Sequence, residues 1–254
     1  MNNFLKGQTA IVSGGLGDIG RAIAMELARG GAAVAVGDVR PESGAEVLLR
    51  ELEELGARCR YDLVDVSDGV RVRAWVSAVE KDLGVPSLII PNAATATVAG
   101  VLEITPDQWS RELRVNLDGA FHLAQAGAAR LVDLERSGRI VFVGSWVGQR
   151  PYSGIPAYCV AKAGLRMLVQ CMALELARHR ILVNEVAPGY VDAGLSRRAW
   201  EKDPGSRERD MAGVPLHCLV QAGEVARQVV WLCHPDNLNV TGSAVLVDGG
   251  LSLL

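Results

Sequence analysis

The feature that most constrains this chain is the run from Thr9 to Ala28. A short apolar segment, Thr9 to Val12, meets Ser13-Gly14-Gly15-Leu16-Gly17-Asp18-Ile19-Gly20, and residues of helical period follow from Arg21 to Ala28. Strand, glycine turn and helix, in that order, let a backbone approach a pyrophosphate and set its charge at a helix N-terminus. Gly15, Gly17 and Gly20 fit G-x-G-x-x-G, and the flanking strand and helix give the pattern its meaning. A chain that begins this way is expected to continue as strands alternating with helices around a parallel sheet.

It does so. Ala33 to Val36 reads as a second strand running into Gly37-Asp38, 18 residues after Gly20. An acid at Asp38, with Val39 beside it, can accept hydrogen bonds from both ribose hydroxyls of an adenosine and would repel a 2′-phosphate. NAD is therefore expected over NADP, with Arg40 as the counterweight, since an arginine there can pair with that phosphate. Pro41 to Leu55 reads as an amphipathic helix with Val47, Leu48, Leu52 and Leu55 on one side. A third strand and its exit cover Arg58 to Val66, a helix Val70 to Leu83, and a buried strand Ser87 to Ile90 before Pro91-Asn92-Ala93-Ala94. Pro106 to Leu134 reads as one long helix holding Asn116 among apolar neighbours, where the amide suits a backbone-bonded helix break. Strands at 138–144, 181–186 and 243–247 and helices at 156–179 and 224–233 complete the alternation. Right-handed crossovers place the C-terminal ends of all strands, and the loops beyond them, on one edge where ligands bind.

At 254 residues with 49% hydrophobic content, one α/β domain over 1–254 fits best. Net charge is −3 and no basic run exceeds Arg197-Arg198, which argues against a nucleic-acid surface. Cys59, Cys159, Cys171, Cys218 and Cys233 form no C-x-x-C pair, and with four scattered His they suggest neither disulfides nor a metal site. The N-terminus has no signal-peptide pattern and no unbroken 18-residue apolar run occurs, so a soluble, reducing, cytoplasmic setting without membrane contact is expected. From Ala193 to Gly213 charges crowd around Pro204-Gly205, and the segment reads as solvated, either a plain loop or a lid over a substrate.

Chemistry concentrates between Ser145 and Lys162. On a helix Tyr158 and Lys162 share a face, and a fixed ammonium favours phenolate over a phenol whose ordinary pKa is about 10. Ser145 follows the apolar run Ile140 to Val143, where a strand would deliver it, and its hydroxyl can hold a substrate oxygen while Tyr158 exchanges a proton with it. By itself Tyr-x-x-x-Lys also fits an ordinary surface pair. The preceding context decides for chemistry.

Taken together, these motifs resemble the classical short-chain dehydrogenase/reductase family from about residue 6 to Gly250. Ser13-Gly14 through Asp18-Ile19-Gly20 aligns with its glycine loop, Asp38 with its NAD-selecting acid and Asp65-Val66 with its adenine-contacting pair. Asn116, Ser145, Tyr158 and Lys162 align with its catalytic tetrad, and Pro188-Gly189, with Val191 after it, with the segment beside the nicotinamide. Four positions depart from the pattern. Asp18 replaces the middle glycine, harmless if it turns outward or caps a helix amide and costly for affinity if it faces phosphate. Pro91-Asn92-Ala93-Ala94 stands for Asn-Asn-Ala-Gly, Ala193 for a threonine that holds the nicotinamide amide, and Gly144 for a serine whose loss should matter little.

The resemblance implies a Rossmann-type doubly wound sheet of seven parallel strands in a single domain. It also implies a homotetramer or homodimer with the Asn116 and Tyr158 helices at the interface. Its implied reaction is hydride transfer between a secondary alcohol and NAD. Tyr158 is the acid/base, Lys162 lowers its pKa and holds the nicotinamide ribose, Ser145 steadies the substrate oxygen, and Asn116 anchors a proton-relaying water. Trp146, Gln149, Tyr152 and Tyr190 are expected to line a pocket for a polyol, sugar, cyclic diol or aryl alcohol. Two rivals stand beside this reading: an NADPH-dependent ketoreductase, for example of 3-oxoacyl thioesters, and a non-catalytic dinucleotide-binding sensor or scaffold.

Overall fold

The computed structural model describes residues 3–203 and 205–254. Pro204, part of the expected lid segment, lies outside the described residues. Seven parallel strands form one sheet in the order β3-β2-β1-β4-β5-β6-β7. They are β1 (Thr9–Ser13), β2 (Ala33–Asp38), β3 (Cys59–Leu63), β4 (Pro86–Ile90), β5 (Gly138–Val143), β6 (Ile181–Pro188) and β7 (Ala244–Val247). Strand order reverses between β1 and β4, and that switch point is where a doubly wound sheet opens a crevice for a ligand.

The interior strands β1, β4 and β6 are buried along their whole length, as expected for a parallel sheet covered on both faces. Alternate side chains feed two separate cores. Ala10, Val12, Val34, Val36, Leu88, Ile90, Val141 and Val186 pack against α1 (Asp18–Arg29), α2 (Glu46–Glu54) and α9 (Ala222–Cys233). Ile11, Ala35, Ile89, Ile140, Phe142 and Val183 pack against α3 (Gly69–Leu83), α5 (Gly119–Asp133) and α6 (Pro156–Leu176). The period of two along each strand thus becomes the two helical layers.

Three expectations about the elements are corrected. The helix drawn over 41–55 is a 3₁₀ turn at Glu42–Gly44 followed by α2, and it buries Leu48 and Leu52 while leaving Val47 57% exposed. Val47 lies about 100° around the helix from Leu48, outside the i, i+4 stripe. The single helix over 106–134 is α4 (Pro106–Leu113), a π-turn at Arg114–Asp118 and α5. The 193–213 segment folds into two short helices, α7 (Gly194–Trp200) and α8 (Ser206–Ala212), pinned by Trp200. Its indole donates to Asp210 at 2.7 Å, and Arg207 pairs with Asp192 at 2.8 Å. Pro156–His179 is long and apolar enough on average to cross a membrane by length and hydropathy alone. Here it is a core helix, with Leu165, Val169 and Ala173 buried against the sheet.

Candidate active site

The Ser13–Gly20 loop leaves β1 with Gly14 at φ +64°. A Cβ there would stand 2.7 Å from the Ala93 Cα, so the close approach and the left-handed backbone both require glycine. Asn92 ties the loop down by donating its side-chain amide to the carbonyls of Ser13 and Gly14 at 2.9 and 3.1 Å. The Ser13 hydroxyl accepts in turn from the amides of Asn92 and Ala93 at 3.0 and 3.2 Å. The turn Pro91-Asn92-Ala93-Ala94 therefore locks the central sheet without the family's usual first asparagine and last glycine.

Helix α1 starts at Asp18, and Gly17 before it provides no side-chain cap. The first-turn amides of Asp18, Ile19 and Gly20 face a helix N-terminus with no intrahelical acceptor, as a pyrophosphate requires. Asp18 does not disturb this arrangement from within the loop: its carboxylate accepts from the Gly194 amide at 2.8 Å and so caps the first residue of α7. Of the alternatives open for Asp18, the structure takes the helix-capping one.

Asp38 ends β2 with 8% exposure. It accepts from the Leu16 amide at 3.1 Å, and Arg40 pairs with it at 3.2 Å. Arg40 thus meets the ribose-selecting carboxylate directly, and Val39 beside it points largely to solvent. Asp65 bonds the amide and hydroxyl of Ser67, while Val66 is buried against Gly119. On the other side of the switch point, Gly189 follows β6 with its amide bonded to the Val247 carbonyl at 3.0 Å, and Val191 pairs with Val220. Ala193 is buried and has no hydroxyl to offer.

Ser145, Tyr158 and Lys162 come together where β5 ends and α6 begins. Ser145 is 6% exposed, its hydroxyl accepts from the Val147 amide at 3.4 Å, and it lies close enough to Tyr158 to lower the phenol's pKa. Lys162, 2% exposed, donates to the Val143 carbonyl at 2.8 Å, and its ammonium lies 5.5 Å from the centre of the Tyr158 ring. Burial pushes the Tyr158 phenol above its usual value, the bond to Ser145 offsets only part of this, and the Glu112 carboxylate adds to the rise. Burial also pulls Lys162 down to about 8, opposed by the Glu185 carboxylate. In the protein alone, burial thus works against phenolate at Tyr158 and against the ammonium at Lys162.

Asn116 sits in the π-turn, fully buried, with its amide oxygen accepting from the Thr95 N–H and its amide nitrogen donating to the Thr95 carbonyl, each at 2.8 Å. A π-turn widens the helix by one residue and is common at functional positions. Four residues before it, buried Glu112 accepts from the Thr97 amide at 3.0 Å. Together the two side chains pin the 95–97 loop beside the site. Sequence reading missed Glu112; its only signal was a carboxylate on the inward side of an amphipathic helix.

Trp146, Tyr152 and Tyr190 form a closed aromatic triangle, with centroids 5.7 to 6.2 Å apart and edge-to-face packing. Val214 and Leu251, also missed, pack behind Trp146 from the far end of the chain. Gln149 reaches Arg166, whose guanidinium donates to its amide oxygen at 2.7 Å.

Fold and site together define a dinucleotide-binding α/β oxidoreductase. Residues 5–252 match the family described as enoyl-(acyl carrier protein) reductase. The 3-oxoacyl-[acyl-carrier-protein] reductase FabG of Pseudomonas aeruginosa is 34% identical over 247 residues, covering 97% of this chain and 98% of the relative. A structure from Agrobacterium tumefaciens, described as a 2-deoxy-D-gluconate 3-dehydrogenase with bound NADP, superposes with a TM-score of 0.90 at 27% identity, covering 100% of each chain. The acetoin dehydrogenase YohF of Salmonella typhimurium gives 0.87 at 29% identity, covering 97% of this chain and 96% of the other. The chain belongs to the short-chain dehydrogenase/reductase family, a family of nicotinamide-dinucleotide oxidoreductases.

Proposed function

We propose that this protein interconverts a small ketone and the corresponding secondary alcohol with a nicotinamide dinucleotide, and that Tyr158 carries the proton. The observation behind this is the grouping of buried Ser145 and Lys162 around a partly buried Tyr158 at the sheet edge beside the glycine loop. The nicotinamide supplies or accepts the hydride when bound. Ser145 holds the substrate oxygen and steadies the charge it develops. Tyr158, neutral at rest, gives its proton to a carbonyl oxygen or recovers one from an alcohol. Lys162 keeps positive charge beside that exchange and reaches the nicotinamide ribose, and the Asn116 turn anchors the relay that returns a proton to solvent. Trp146, Tyr152 and Tyr190 wall the pocket.

Asp38 favours NAD through the ribose hydroxyls it can accept from. A second reading, an NADPH-dependent ketoreductase, is supported by Arg40 partly neutralising Asp38, and by the 3-oxoacyl reductase and NADP-bound relatives. We further infer a dimer or tetramer in a cytoplasmic setting. Val160, Met167 and Leu174 recur every seven residues on α6 at 48 to 83% exposure, an apolar stripe suited to a second copy. The two short helices α7 and α8 are the candidate lid over the substrate.

The test titrates the protein with NADH and NADPH and then measures turnover of ketones and alcohols by the wild type and Tyr158→Phe. Tighter NADH binding selects the first cofactor reading and tighter NADPH binding the second. The variant should bind dinucleotide as before and lose about 10²- to 10⁴-fold in kcat. Near-full turnover by Tyr158→Phe would remove Tyr158 from the chemistry. Dinucleotide binding without turnover of any alcohol or ketone would leave the sensor or scaffold reading.

A further inference from the structure

The bond between Asp18 and Gly194 joins parts of the chain that stand far apart in the sheet. Asp18 opens α1 at the end of the glycine loop that follows β1, whereas Gly194 lies beyond Pro188, the last residue of β6. In the sheet β6 is three places from β1, with β4 and β5 between them. Neighbouring strands are about 4.8 Å apart, so the crossing covers about 14 Å of sheet edge. Six extended residues reach about 20 Å, and the 189–194 stretch is long enough to make it. The stretch therefore runs as a strap past the carboxyl ends of β5 and β4 and over the crevice between β4 and β1.

One end of the strap is anchored. Val191 pairs with Val220, and the Asp192 amide donates to the Val220 carbonyl at 2.8 Å. Gly194 follows at φ +50°, with open space where a Cβ would stand. Glycine is there for its backbone angle and not for want of room, as suits a hinge. Beyond it α7 and α8 are tied into one unit. Trp200 donates to Asp210, the Arg207 guanidinium lies over the Trp200 ring, and Arg207 returns to Asp192. Among the described residues, every other hydrogen bond and ion pair made by residues 194–212 stays within 190–214. The Asp18 carboxylate is the one polar mooring of this unit to the glycine loop.

We propose that Asp18 is a latch: its bond to Gly194 holds the 189–200 strap closed over the crevice, and a bound dinucleotide leaves only when that bond opens. This rests on the dinucleotide and lid readings above. It also gives a use to a carboxylate placed at a phosphate-binding helix N-terminus. The charge slows the arrival of a pyrophosphate, and the hydrogen bond slows its departure.

Two variants separate the charge from the bond. Asp18→Asn removes the charge and keeps a side-chain oxygen for the Gly194 amide, whereas Asp18→Ala removes both. The probe is whichever of NADH and NADPH binds wild type more tightly. Its release is timed by stopped-flow fluorescence during a chase with excess ADP-ribose, and its uptake by direct mixing. Release from Asp18→Ala should quicken about fivefold, the loss of one capping bond, while release from Asp18→Asn stays within about twofold of wild type. Uptake should quicken in both variants, more at low salt than at high, because both have lost the charge. A second readout uses the folded protein without dinucleotide. Limited trypsin cleavage after Arg197, Arg198 and Lys202 samples the opened strap and should run about fivefold faster in Asp18→Ala alone.

Equal release rates in the two variants, or release from Asp18→Ala within twofold of wild type, overturns the latch. Cleavage at the same rate in all three proteins overturns it as well. If wild type binds neither NADH nor NADPH, the dinucleotide reading fails and takes the gating role with it. The cleavage comparison still decides in that case whether Asp18 holds the strap.

Discussion

Replacing Lys162 by methionine should change how stability depends on pH, and by a calculable amount. The ammonium is 2% exposed, and burial pulls it from 10.5 down to about 8. Below pH 8 both the folded and unfolded chains bind the proton, and the folded state carries the full cost of burying the charge. Between 8 and 10.5 only the unfolded chain retains it, so the stability contributed at this position rises with pH. The full gap corresponds to about 3 kcal/mol, and the portion recovered between pH 7 and 9.5 is about 2 kcal/mol. The Val143 carbonyl, which accepts from the ammonium at 2.8 Å, works against the shift and makes these upper values. The assay is urea unfolding of wild type and Lys162→Met, without added dinucleotide, at both pH values. Groups common to the two proteins cancel in the difference. Wild type should gain between 1 and about 2 kcal/mol on the variant as pH rises over this range. A difference that stays flat, or that falls with pH, would show that the ammonium is not held at a desolvation cost.

Two further outcomes follow from the loop geometry. Asp18→Ala removes the acceptor from the Gly194 amide and should speed hydrogen exchange over 194–200 about fivefold, the loss of roughly 1 kcal/mol of capping; unchanged exchange would mean that α7 is held elsewhere. Gly14→Ala places a Cβ 2.7 Å from the Ala93 Cα at a φ of +64°, and should cost about 2 to 4 kcal/mol in thermal or urea unfolding. A loss under 0.5 kcal/mol would show that the loop relaxes freely.

The sheet was legible because its signal is local. Each strand is a short apolar run, and the fully buried runs Thr9–Ser13 and Pro86–Ile90 occupy the centre where both faces are covered. The glycine loop was legible for the same reason, since its spacing is read within a dozen residues. Long-range partners were not. The π-turn at Asn116 exists because its amide bonds Thr95, 21 positions away, and nothing within Pro106 to Leu134 announces that partner. The charges of 193–213 suggested solvent and most of them face it, but the pattern hid Trp200, which is 8% exposed with Asp210 bonded to its indole and Arg207 over its ring. Asp18 and Gly194 are 176 residues apart and meet only after the sheet has closed. The pairing at Tyr158 was legible as spacing, but the burial that raises its phenol was not, because it comes from residues distant in sequence such as Glu112.

The glycine before Ser145 also limits how this chain can change over time. Any side chain at 144 collides with Glu185, and removing Glu185 alone strands a buried Arg166. The three positions form an epistatic block in which each single step away is unfavourable until another has been taken. A lineage that acquires Gly144, Glu185 and Arg166 is thereby held to them by mutational order, and the residues should be inherited together or lost together.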